Sequence, residues 1–400
     1  MKTVNHDARE ALAIFGGRPA VEQPPPAWPI VDDDDRAALL SVLESRIWGG
    51  YHPVVGELER RFSELHGTTR GIATANGTVS LEIALAAARI GTGDEVIVPP
   101  ITFVASATAI LRVGAVPVFA DVEADTLNLS PAAAERAITS RTRAIVAVHF
   151  AGHPVDLDAV VDLCEQRRLI LIEDCAHAPG ASWRGRPVGS FGAFGSFSFQ
   201  ASKNLTAGEG GILVTSTPEL ADRAASIANQ GRRAGGAWYE HVNLGTNARM
   251  TGFQATLILR QLERLPAQVA VRAARAGRLR DGVAAVDGVD VLPAALDRRV
   301  SAHGYHLFTM RVDGGRWKDL NRERLAEALQ AEGVPVSLGY PYPIYRNALF
   351  ERQRHIVRDC PNAEDYCANG LWLPHNALLA DEPWIDSVLE AIQKVRRSVA

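Results

Sequence analysis

Short apolar segments alternate with longer amphipathic ones between Ala73 and Ser216, and this alternation constrains the fold of the 400-residue chain more than any other feature. Segments with few charges predict buried strands, namely EVIVP (95–99), AVPVFADV (115–122), RAIVAVHF (143–150) and LILIEDC (169–175). The segments between them predict helices, namely VSLEIALAAARI (79–90), FVASATAILRV (103–113), PAAAERAIT (131–139) and DLDAVVDLCEQR (156–167). This alternation predicts an α/β fold with a mostly parallel central sheet covered by helices on both faces.

The rest of the chain extends this unit at both ends. Residues 1–30 predict an N-terminal arm, because closely spaced prolines exclude a helix or a central strand there. Residues 31–270 are predicted to form the large domain. It begins with a helix whose N-terminus carries the acidic run Asp32–Asp35, and it ends in a long helix that starts at about Gly252. Residues 271–400 predict a smaller C-terminal α/β domain, with a strand at 309–312 and a helix at 319–333.

Charge and hydropathy argue against nucleic-acid and membrane partners. The net charge is −4 and no helix-turn-helix or basic arm is recognisable. The longest apolar stretch, Phe103 to Ala120, is interrupted by Arg112, Gly114 and Pro117, and the first twenty residues lack the apolar core of a signal peptide. We therefore expect a soluble cytoplasmic protein.

Cysteine usage supports the same compartment. The four cysteines are Cys164, Cys175, Cys360 and Cys367, and they lack the spacing of a metal site. We expect reduced, buried thiols and no bound metal.

Lysine is scarce, with four positions against 38 arginines. Chemistry that needs a neutral primary amine is restricted to these four, because arginine stays protonated in proteins. Lys2 and Lys394 lie near the termini, where order is expected to be poor, and Lys318 is expected to be solvated at the start of a charged helix. Lys203 follows a short aromatic strand and precedes a glycine-rich turn, so it is the candidate for a desolvated, nucleophilic amine.

Polar residues follow the predicted strand at 169–175, at the sheet edge where α/β proteins bind ligands. Asp174 and His177 in IEDCAHAPG (172–180) would project into this crevice. Asp174 could hold a proton on a heteroaromatic nitrogen, although a carboxylate that caps a turn is an equally good interpretation of this feature alone.

A second polar segment lies at the start of a predicted helix. In TANGTVSLEIAL (74–85), the residues Asn76, Gly77 and Thr78 present free backbone N–H groups that suit a phosphate, although a plain N-cap is the simpler interpretation when the segment is taken alone. Ser198 could supply a hydroxyl to the same phosphate.

The order of four motifs resembles a known family. The motifs are ANGT, PPITFVAS, EDCAHA and SFSFQASKNLTAGEGG, and they are similar to those of the DegT/StrS family of aminotransferases that depend on pyridoxal 5'-phosphate (PLP). The resemblance runs from WPIVDDD to WLPHNALL, and S-F-x-x-x-K-x-x-x-x-G-E-G-G (198–211) is its most specific part. It implies the aspartate-aminotransferase-like fold and activity on keto-sugars or cyclitol ring ketones.

The resemblance implies a role for each matching residue around the cofactor ring. Lys203 would bind PLP covalently and shuttle a proton, and Asp174 would pair with the pyridinium nitrogen. His177 would lie near the ring hydroxyl and Phe103 would stack on the ring. Taken singly, Phe103 also suits core packing and His177 a structural histidine.

The resemblance also implies a phosphate site and a partner subunit. Gly77, Thr78 and Ser198 would bind the phosphate. Asn247 in GTNARM (245–250) matches an asparagine that the family contributes from the second subunit, which implies a homodimer with shared active sites. Some family members are dehydratases with histidine at the lysine position, whereas this chain keeps Lys203 and so matches the aminotransferases.

The small-domain loop LGYPYPIYRNALF (338–350) indicates the substrate. Tyr345 stands where members that take nucleotide-linked sugars often have histidine, and the loop looks closer to the cyclitol branch. The resemblance therefore implies amino transfer from L-glutamine, or L-glutamate, to a ring ketone such as scyllo-inosose in antibiotic biosynthesis. The candidate substrate contacts are Tyr51, His52, Tyr342 and Tyr345, although the loop tyrosines could instead pack the domain junction.

Three alternatives stay open. One is an aminotransferase for a nucleotide-linked keto-sugar, which predicts a basic pocket for a diphosphate. Another is an enzyme similar to 3-amino-5-hydroxybenzoate synthase. The third, from a different class, is a PLP-binding regulator or a non-catalytic partner subunit, against which the retained Lys203 argues.

Overall fold

The computed structural model describes residues 12–313, 316 and 321–399. Lys2 and Lys318 lie outside the described residues, as do the start of the N-terminal arm and the first two positions of the helix predicted at 319–333.

The strands form three sheets. Their bounds are Arg70–Thr74 (β1), Glu95–Val98 (β2), Val116–Phe119 (β3), Thr142–Val148 (β4), Ile170–Asp174 (β5), Ser182–Trp183 (β6), Arg186–Pro187 (β7), Phe194–Ser198 (β8), Gly211–Thr215 (β9), Val289–Leu292 (β10), Val300–Ala302 (β11), Leu307–Val312 (β12), Ser337–Leu338 (β13), Ile356–Val357 (β14) and Gly370–Pro374 (β15).

The α-helices mostly alternate with these strands, as the sequence predicts. Their bounds are Asp33–Ser45 (α1), Pro53–Leu65 (α2), Gly77–Ala87 (α3), Ala105–Arg112 (α4), Pro131–Ala137 (α5), Leu157–Arg167 (α6), Pro218–Ala228 (α7), Gly252–Ala284 (α8), Arg322–Ala331 (α9), Pro361–Asn369 (α10) and Glu382–Val399 (α11).

The main sheet has eight strands in the order β1-β9-β8-β5-β4-β2-β3-β14. The strands from β8 to β14 in this order run parallel to their neighbours, and only β9 pairs antiparallel with β8 and β1. The four predicted strands correspond to β2, β3, β4 and β5. The α/β class with a mostly parallel central sheet is therefore confirmed.

Two apolar clusters cover the faces of the main sheet, and a third fills the C-terminal part of the chain. Helix α8 joins them, because Ile258 and Leu262 near its start lie in a sheet cluster while Leu279 and Val283 near its end lie in the C-terminal cluster. The C-terminal part has its own antiparallel sheet, in the order β10-β12-β15-β13, and it also adds β14 to the edge of the main sheet. The division of the chain at residues 30 and 270 stays a prediction.

A buried carboxylate attaches the N-terminal arm to the C-terminal cluster. Glu332 is fully buried and accepts hydrogen bonds from the backbone N–H groups of Ala13 and Ala20, at 2.8 and 2.9 Å. Lys394 Nζ lies 2.8 Å from the same carboxylate. The expectation of poor order at Lys394 is therefore wrong, because its helix α11 packs on the cluster and its amine is paired.

The hydropathy of the helices and the state of the cysteines can be compared with the sequence predictions. Among the described residues, no helix has both the length and the hydropathy that a bilayer crossing needs. All four cysteines are buried and carry free thiols, as expected. Burial raises the pKa of the Cys175 thiol well above its ordinary value.

Glu173 anchors the loop that precedes β8. Its Oε1 accepts from the backbone N–H groups of Phe191 and Gly192, and its Oε2 accepts from Gly189 N and His149 Nε2, at distances of 2.7 to 3.1 Å. His149 Nδ1 accepts from a backbone N–H, so the proton of the neutral ring is on Nε2. A side chain that only accepts is required here.

We predict that Glu173→Gln destabilises the protein by about 3 kcal/mol, because either orientation of the amide turns an NH2 group toward two donors. Urea denaturation would measure this loss. Glu165→Gln, on the exposed side of α6, is the matched control and should leave the midpoint unchanged. An equal effect of both substitutions would contradict the role of Glu173.

Candidate active site

Lys203 lies on the turn that follows β8 and is partly buried. Its backbone N–H donates to Gln200 O at 2.9 Å, and its carbonyl accepts from Trp28 Nε1 at 3.1 Å. Burial lowers the pKa of the Lys203 amine to about 8, against the opposing charge of Asp174. Roughly a tenth of this amine is therefore neutral at pH 7, far more than for a lysine at its ordinary pKa, and the neutral form is the nucleophile.

Asp174 is the last residue of β5 and is buried beside this amine. Its Oδ2 accepts from Ser106 Oγ at 2.7 Å, and its Oδ1 accepts from Ala176 N at 3.2 Å. Ser106 belongs to α4, so the helix that follows β2 orients the carboxylate. The sequence analysis did not identify Ser106, because its contact with Asp174 spans 68 residues.

His177 is buried in the same place with a defined tautomer. Its Nδ1 accepts from Ala151 N at 3.3 Å, which leaves the proton of the neutral ring on Nε2. Burial, and then the charge of Lys203, lower the pKa of His177 well below its ordinary value, so the ring is neutral. Its Nε2 makes no hydrogen bond with the part of the chain that is described, and it is available as a donor to a ligand.

Two further histidines line this site, and the sequence analysis missed both. The ring of His306 stacks on that of His177 with centroids 4.2 Å apart, and on that of His375 with centroids 5.7 Å apart. Asn204 accepts from His306 Nδ1 at 2.9 Å. Burial is the main cause that lowers the pKa of both rings, to about 3 for His375. The segment HGYHLF around His306 was the available signal, but its placement depends on a contact between distant parts of the chain.

The start of α3 lies against the end of β8. Asn76 caps the helix by accepting from Val79 N at 2.9 Å, while the N–H groups of Gly77 and Thr78 have no intrahelical acceptor. A Cβ at Gly77 would come within 2.6 Å of the Ser198 Cβ. The close approach therefore requires glycine, and it brings two free N–H groups to a serine hydroxyl, a suitable cradle for a phosphate.

Phe103 lies in the turn just before α4, and 58% of its surface is exposed. Core packing is therefore not its role in the single chain. Its carbonyl accepts from Ser106 N at 3.2 Å, so it belongs to the turn that carries the serine bound to Asp174. The ring is free to cover a ligand at this edge of the sheet.

Asn247, Tyr51 and His52 lie outside this group. Asn247 is exposed and pairs with Asn229 in an isolated bridge. Tyr51 is 66% exposed and donates to Asn229 Oδ1 at 3.3 Å. His52 caps α2 through its Nδ1, which accepts from Val54 N at 3.1 Å. Their contacts within the described residues do not include Lys203 or Asp174, so any role at the site stays a prediction.

The loop tyrosines differ from one another. Tyr342 is exposed, whereas the ring of Tyr345 packs on Phe119 and its hydroxyl donates to Glu364 at 2.5 Å. Packing accounts for the contacts of Tyr345, and its assignment to substrate stays a prediction. Tyr340 is partly buried, and its pKa is raised by burial and then by the charge of Asp174, which indicates a position near the site.

His149, Glu173 and Cys175 form a buried group whose ligand atoms lie within 4.8 Å of one another. The Glu173 oxygens and His149 Nδ1 already accept hydrogen bonds from the protein. These atoms form a satisfied network, and their donor set does not call for a metal ion.

The arrangement suits PLP. Lys203 offers an amine for the aldehyde, Asp174 a carboxylate for the pyridine nitrogen, and His177 an N–H for the ring hydroxyl. Gly77 and its neighbour supply unpartnered N–H groups for the phosphate.

The chain is similar to known proteins over most of its length. The model of the DegT/DnrJ/EryC1/StrS aminotransferase family matches residues 29–393. The chain is 38% identical over 412 residues to an L-glutamine:2-deoxy-scyllo-inosose aminotransferase from Micromonospora echinospora, with 96% of this chain and 97% of that protein covered. It is 37% identical over 379 residues to a 3-amino-5-hydroxybenzoate synthase from Amycolatopsis mediterranei (strain S699), with 92% and 96% covered.

A solved structure extends the similarity to three dimensions. The crystal structure of 3-amino-5-hydroxybenzoic acid synthase superposes with a TM-score of 0.87 at 36% identity, and the match covers 93% of this chain and 98% of that one. The aspartate-aminotransferase-like fold expected from the resemblance is confirmed.

We predict that Lys203→Met stabilises the cofactor-free protein at pH 7 by roughly 2 kcal/mol, less than the full pKa change because the side chain keeps some solvent contact. The lowered pKa means that the unfolded chain binds a proton more readily than the folded chain between about pH 8 and 10.5. The gain should therefore be full below pH 8 and disappear as the pH rises toward 10.5.

Urea denaturation at a series of pH values measures this dependence. Lys394→Met is the control and should destabilise the protein, because it leaves the buried Glu332 without its cation. A gain for Lys203→Met that does not change with pH would exclude the amine as its source.

Proposed function

The chain belongs to the DegT/DnrJ/EryC1/StrS aminotransferase family, and from this premise we propose that it transfers an amino group from L-glutamine to a cyclitol ring ketone such as scyllo-inosose. It is a PLP-dependent aminotransferase. One observation carries the choice of substrate, the 38% identity to an L-glutamine:2-deoxy-scyllo-inosose aminotransferase across 96% of this chain. L-glutamate is the alternative donor, and the pathway we propose is antibiotic biosynthesis.

We assign the central chemical steps to Lys203 and Asp174. When bound, the cofactor supplies an electron sink for charge that develops on the substrate carbon. Lys203 Nζ would hold the cofactor and would move the proton at the substrate carbon, which its lowered pKa of about 8 favours. Asp174, oriented by Ser106, holds a proton on the pyridine nitrogen.

The remaining residues bind and orient the cofactor. His177 donates through Nε2 to the ring hydroxyl, as its tautomer supports. Gly77 and Thr78 donate backbone N–H groups to the phosphate, with the Ser198 hydroxyl beside them. The ring of Phe103, which is exposed in the single chain, would cover one face of the pyridine.

A free ring ketone fits the small-domain loop better than a nucleotide-linked sugar. Arg346, the only basic residue of the loop at 338–350, lies 2.9 Å from Glu364 and is paired. The loop thus offers no free cation for a diphosphate, and the exposed Tyr342 is the loop residue that we assign to the acceptor.

A second candidate acceptor belongs to 3-amino-5-hydroxybenzoate formation. The 37% identity to a 3-amino-5-hydroxybenzoate synthase, over 92% of this chain, favours it almost as strongly. Both candidates use the same residues around the cofactor, so only the acceptor distinguishes them.

We further propose a cytoplasmic homodimer that shares its active sites, with small molecules as its other partners. Large apolar side chains are exposed in the single chain, including Trp48 at 51%, Trp238 at 79% and Leu244 at 99%. Such exposure is typical of a surface that a second subunit covers. Asn247 lies three residues after Leu244, and we assign it to cofactor binding in the partner's site.

We predict that the purified protein with PLP shows a borohydride-sensitive absorbance band, which glutamine removes and scyllo-inosose restores with formation of an aminocyclitol. Mass spectrometry identifies the product. The acceptor panel also contains the immediate ketone precursor of 3-amino-5-hydroxybenzoate and a nucleotide-linked keto-sugar. Turnover of one of these alone would replace the cyclitol assignment.

Lys203→Ala is the matched variant, and it should lose the band and both half-reactions because no other lysine replaces its amine. Lys394→Ala, whose amine pairs with Glu332, should keep the band. If Lys203→Ala retains a borohydride-sensitive band, another residue binds the cofactor.

We predict subunit complementation between Lys203→Ala and Asn247→Ala, each inactive alone. After unfolding and refolding as an equal mixture, about a quarter of the sites should combine Lys203 of one subunit with Asn247 of the other and recover activity. Activity of the refolded mixture relative to refolded wild type measures this fraction. A mixture as inactive as its components would place both residues in the same subunit's site.

A further inference from the structure

Arg272 is a fully buried cation without an anionic partner. It lies on α8, none of its surface is exposed, and no carboxylate pairs with it in the described part of the chain. Its Nε and Nη1 lack hydrogen-bond partners, while Nη2 lies 3.4 Å from both Gln268 Oε1 and His375 Nδ1. Burial lowers its pKa to about 10, so the guanidinium remains charged at neutral pH. Such a group is expensive to bury, and its contacts indicate what it does.

The contact with His375 determines which nitrogen of that ring carries the proton. Arginine only donates, so Nδ1 of His375 is the acceptor and the proton of the neutral ring lies on Nε2. His375 Nε2 then donates to the carbonyl of Ser202 at 3.1 Å. Burial, followed by the charge of Arg272, lowers the pKa of His375 to about 3. The ring is therefore neutral and does not repel the Arg272 guanidinium. Both ring nitrogens of His375 are therefore hydrogen-bonded, which fixes the orientation of the imidazole.

Trp28 from the N-terminal arm completes the arrangement. Its indole Nε1 donates to the carbonyl of Lys203 at 3.1 Å, one residue after the carbonyl that His375 binds. Its ring meets His375 edge to face at 4.5 Å, and the Arg272 guanidinium lies 5.8 Å from its centre. Arg272 therefore contacts the two side chains that hold two successive carbonyls, at Ser202 and Lys203.

We propose that Arg272 is a positioning residue for Lys203, because it fixes His375 and Trp28 and through them the backbone from which the Lys203 amine enters the site. The inference rests on the proposed function in one respect, the assignment of Lys203 as the cofactor-binding lysine. Arg272 itself makes no hydrogen bond to Lys203 or Asp174 within the described residues. Its effect on the chemistry is therefore indirect.

The first test uses Arg272→Met, which keeps the length of the side chain and removes its donors. We expect the cofactor-free variant to form the borohydride-sensitive band with added PLP at least tenfold more slowly than wild type. We also expect kcat to fall about tenfold to a hundredfold with little change in KM for glutamine, because a displaced amine slows proton transfer rather than binding. Stopped-flow absorbance and steady-state kinetics give the two values.

Arg275→Met is the matched control, since Arg275 lies on the same helix, donates to Ala380 O and pairs with Glu382, and does not contact His375. It should leave the rate of band formation and kcat unchanged. If Arg272→Met and its control reduce both rates equally, or if Arg272→Met lowers only the thermal midpoint, Arg272 is a structural residue and the proposal is wrong.

Substitutions of His375 test the route of the effect. His375→Leu should reproduce the slow band formation, whereas His375→Gln should recover most of the rate, because glutamine can accept from Arg272 and donate to the Ser202 carbonyl at once. The double variant Arg272→Met, His375→Leu should be no slower than the worse single variant. Additive losses, or no rescue by glutamine, would overturn the proposal, and the His375 pair decides it if Arg272→Met fails to fold.

The Lys203→Ala spectrum distinguishes a wrong cofactor assignment from a wrong role for Arg272. If that variant keeps the band, the cofactor assignment fails and the Arg272 inference falls with it. If the band requires Lys203 but its rate of formation does not depend on Arg272, only the inference fails.

Discussion

The structure depends on the environment of the Lys203 amine, which loses its proton more easily than a lysine amine in water. Burial lowers the pKa of Lys203 to about 8, and the neighbouring side chains do not reverse this shift. The imidazoles of His177 and His306 are buried and neutral, so they contribute polar atoms without charge. Asp174 supplies the single opposing charge, and a carboxylate in that place would be needed by a bound heteroaromatic ring in any case.

The sheet produces this environment through the alternation of one strand. Glu173 and Asp174 are consecutive in β5, so their side chains lie on opposite faces. Asp174 faces the amine and α4, while Glu173 binds three backbone N–H groups of the loop before β8 and the ring of His149. The same strand therefore orients a reactive carboxylate and anchors the segment that leads to Lys203, which couples the chemistry of the site directly to the stability of the fold.

The sequence predicted those parts of the site that depend on local structure. Lys203, Asp174 and the start of α3 each follow or precede a recognisable strand or helix, and the strand order then brings them to one edge. The neighbours that orient them were not predictable in this way. Ser106, His306 and His375 contact their partners across long stretches of chain, and periodicity identifies the face on which a residue lies but not which distant residue meets it. The sequence pattern likewise does not fix a domain boundary at residue 270, because α8 contributes residues to two apolar clusters.

The two sides of the site differ in how complete they are within one chain. Around Lys203 the rings of His177, His306 and His375 are buried, and their hydrogen bonds fix tautomers and orientations within one chain. On the side that we assign to the acceptor, Tyr342 is 41% exposed, and Tyr51, a predicted substrate contact, is 66% exposed. Exposed aromatic rings discriminate poorly between ketones while water can reach them, because apolar contacts and hydrogen bonds to hydroxyls gain strength only when solvent is excluded. In the proposed homodimer the partner subunit would supply that exclusion. Choice of acceptor would then be a property of the interface, whereas Lys203 and Asp174, to which we assign the central chemical steps, come from one chain.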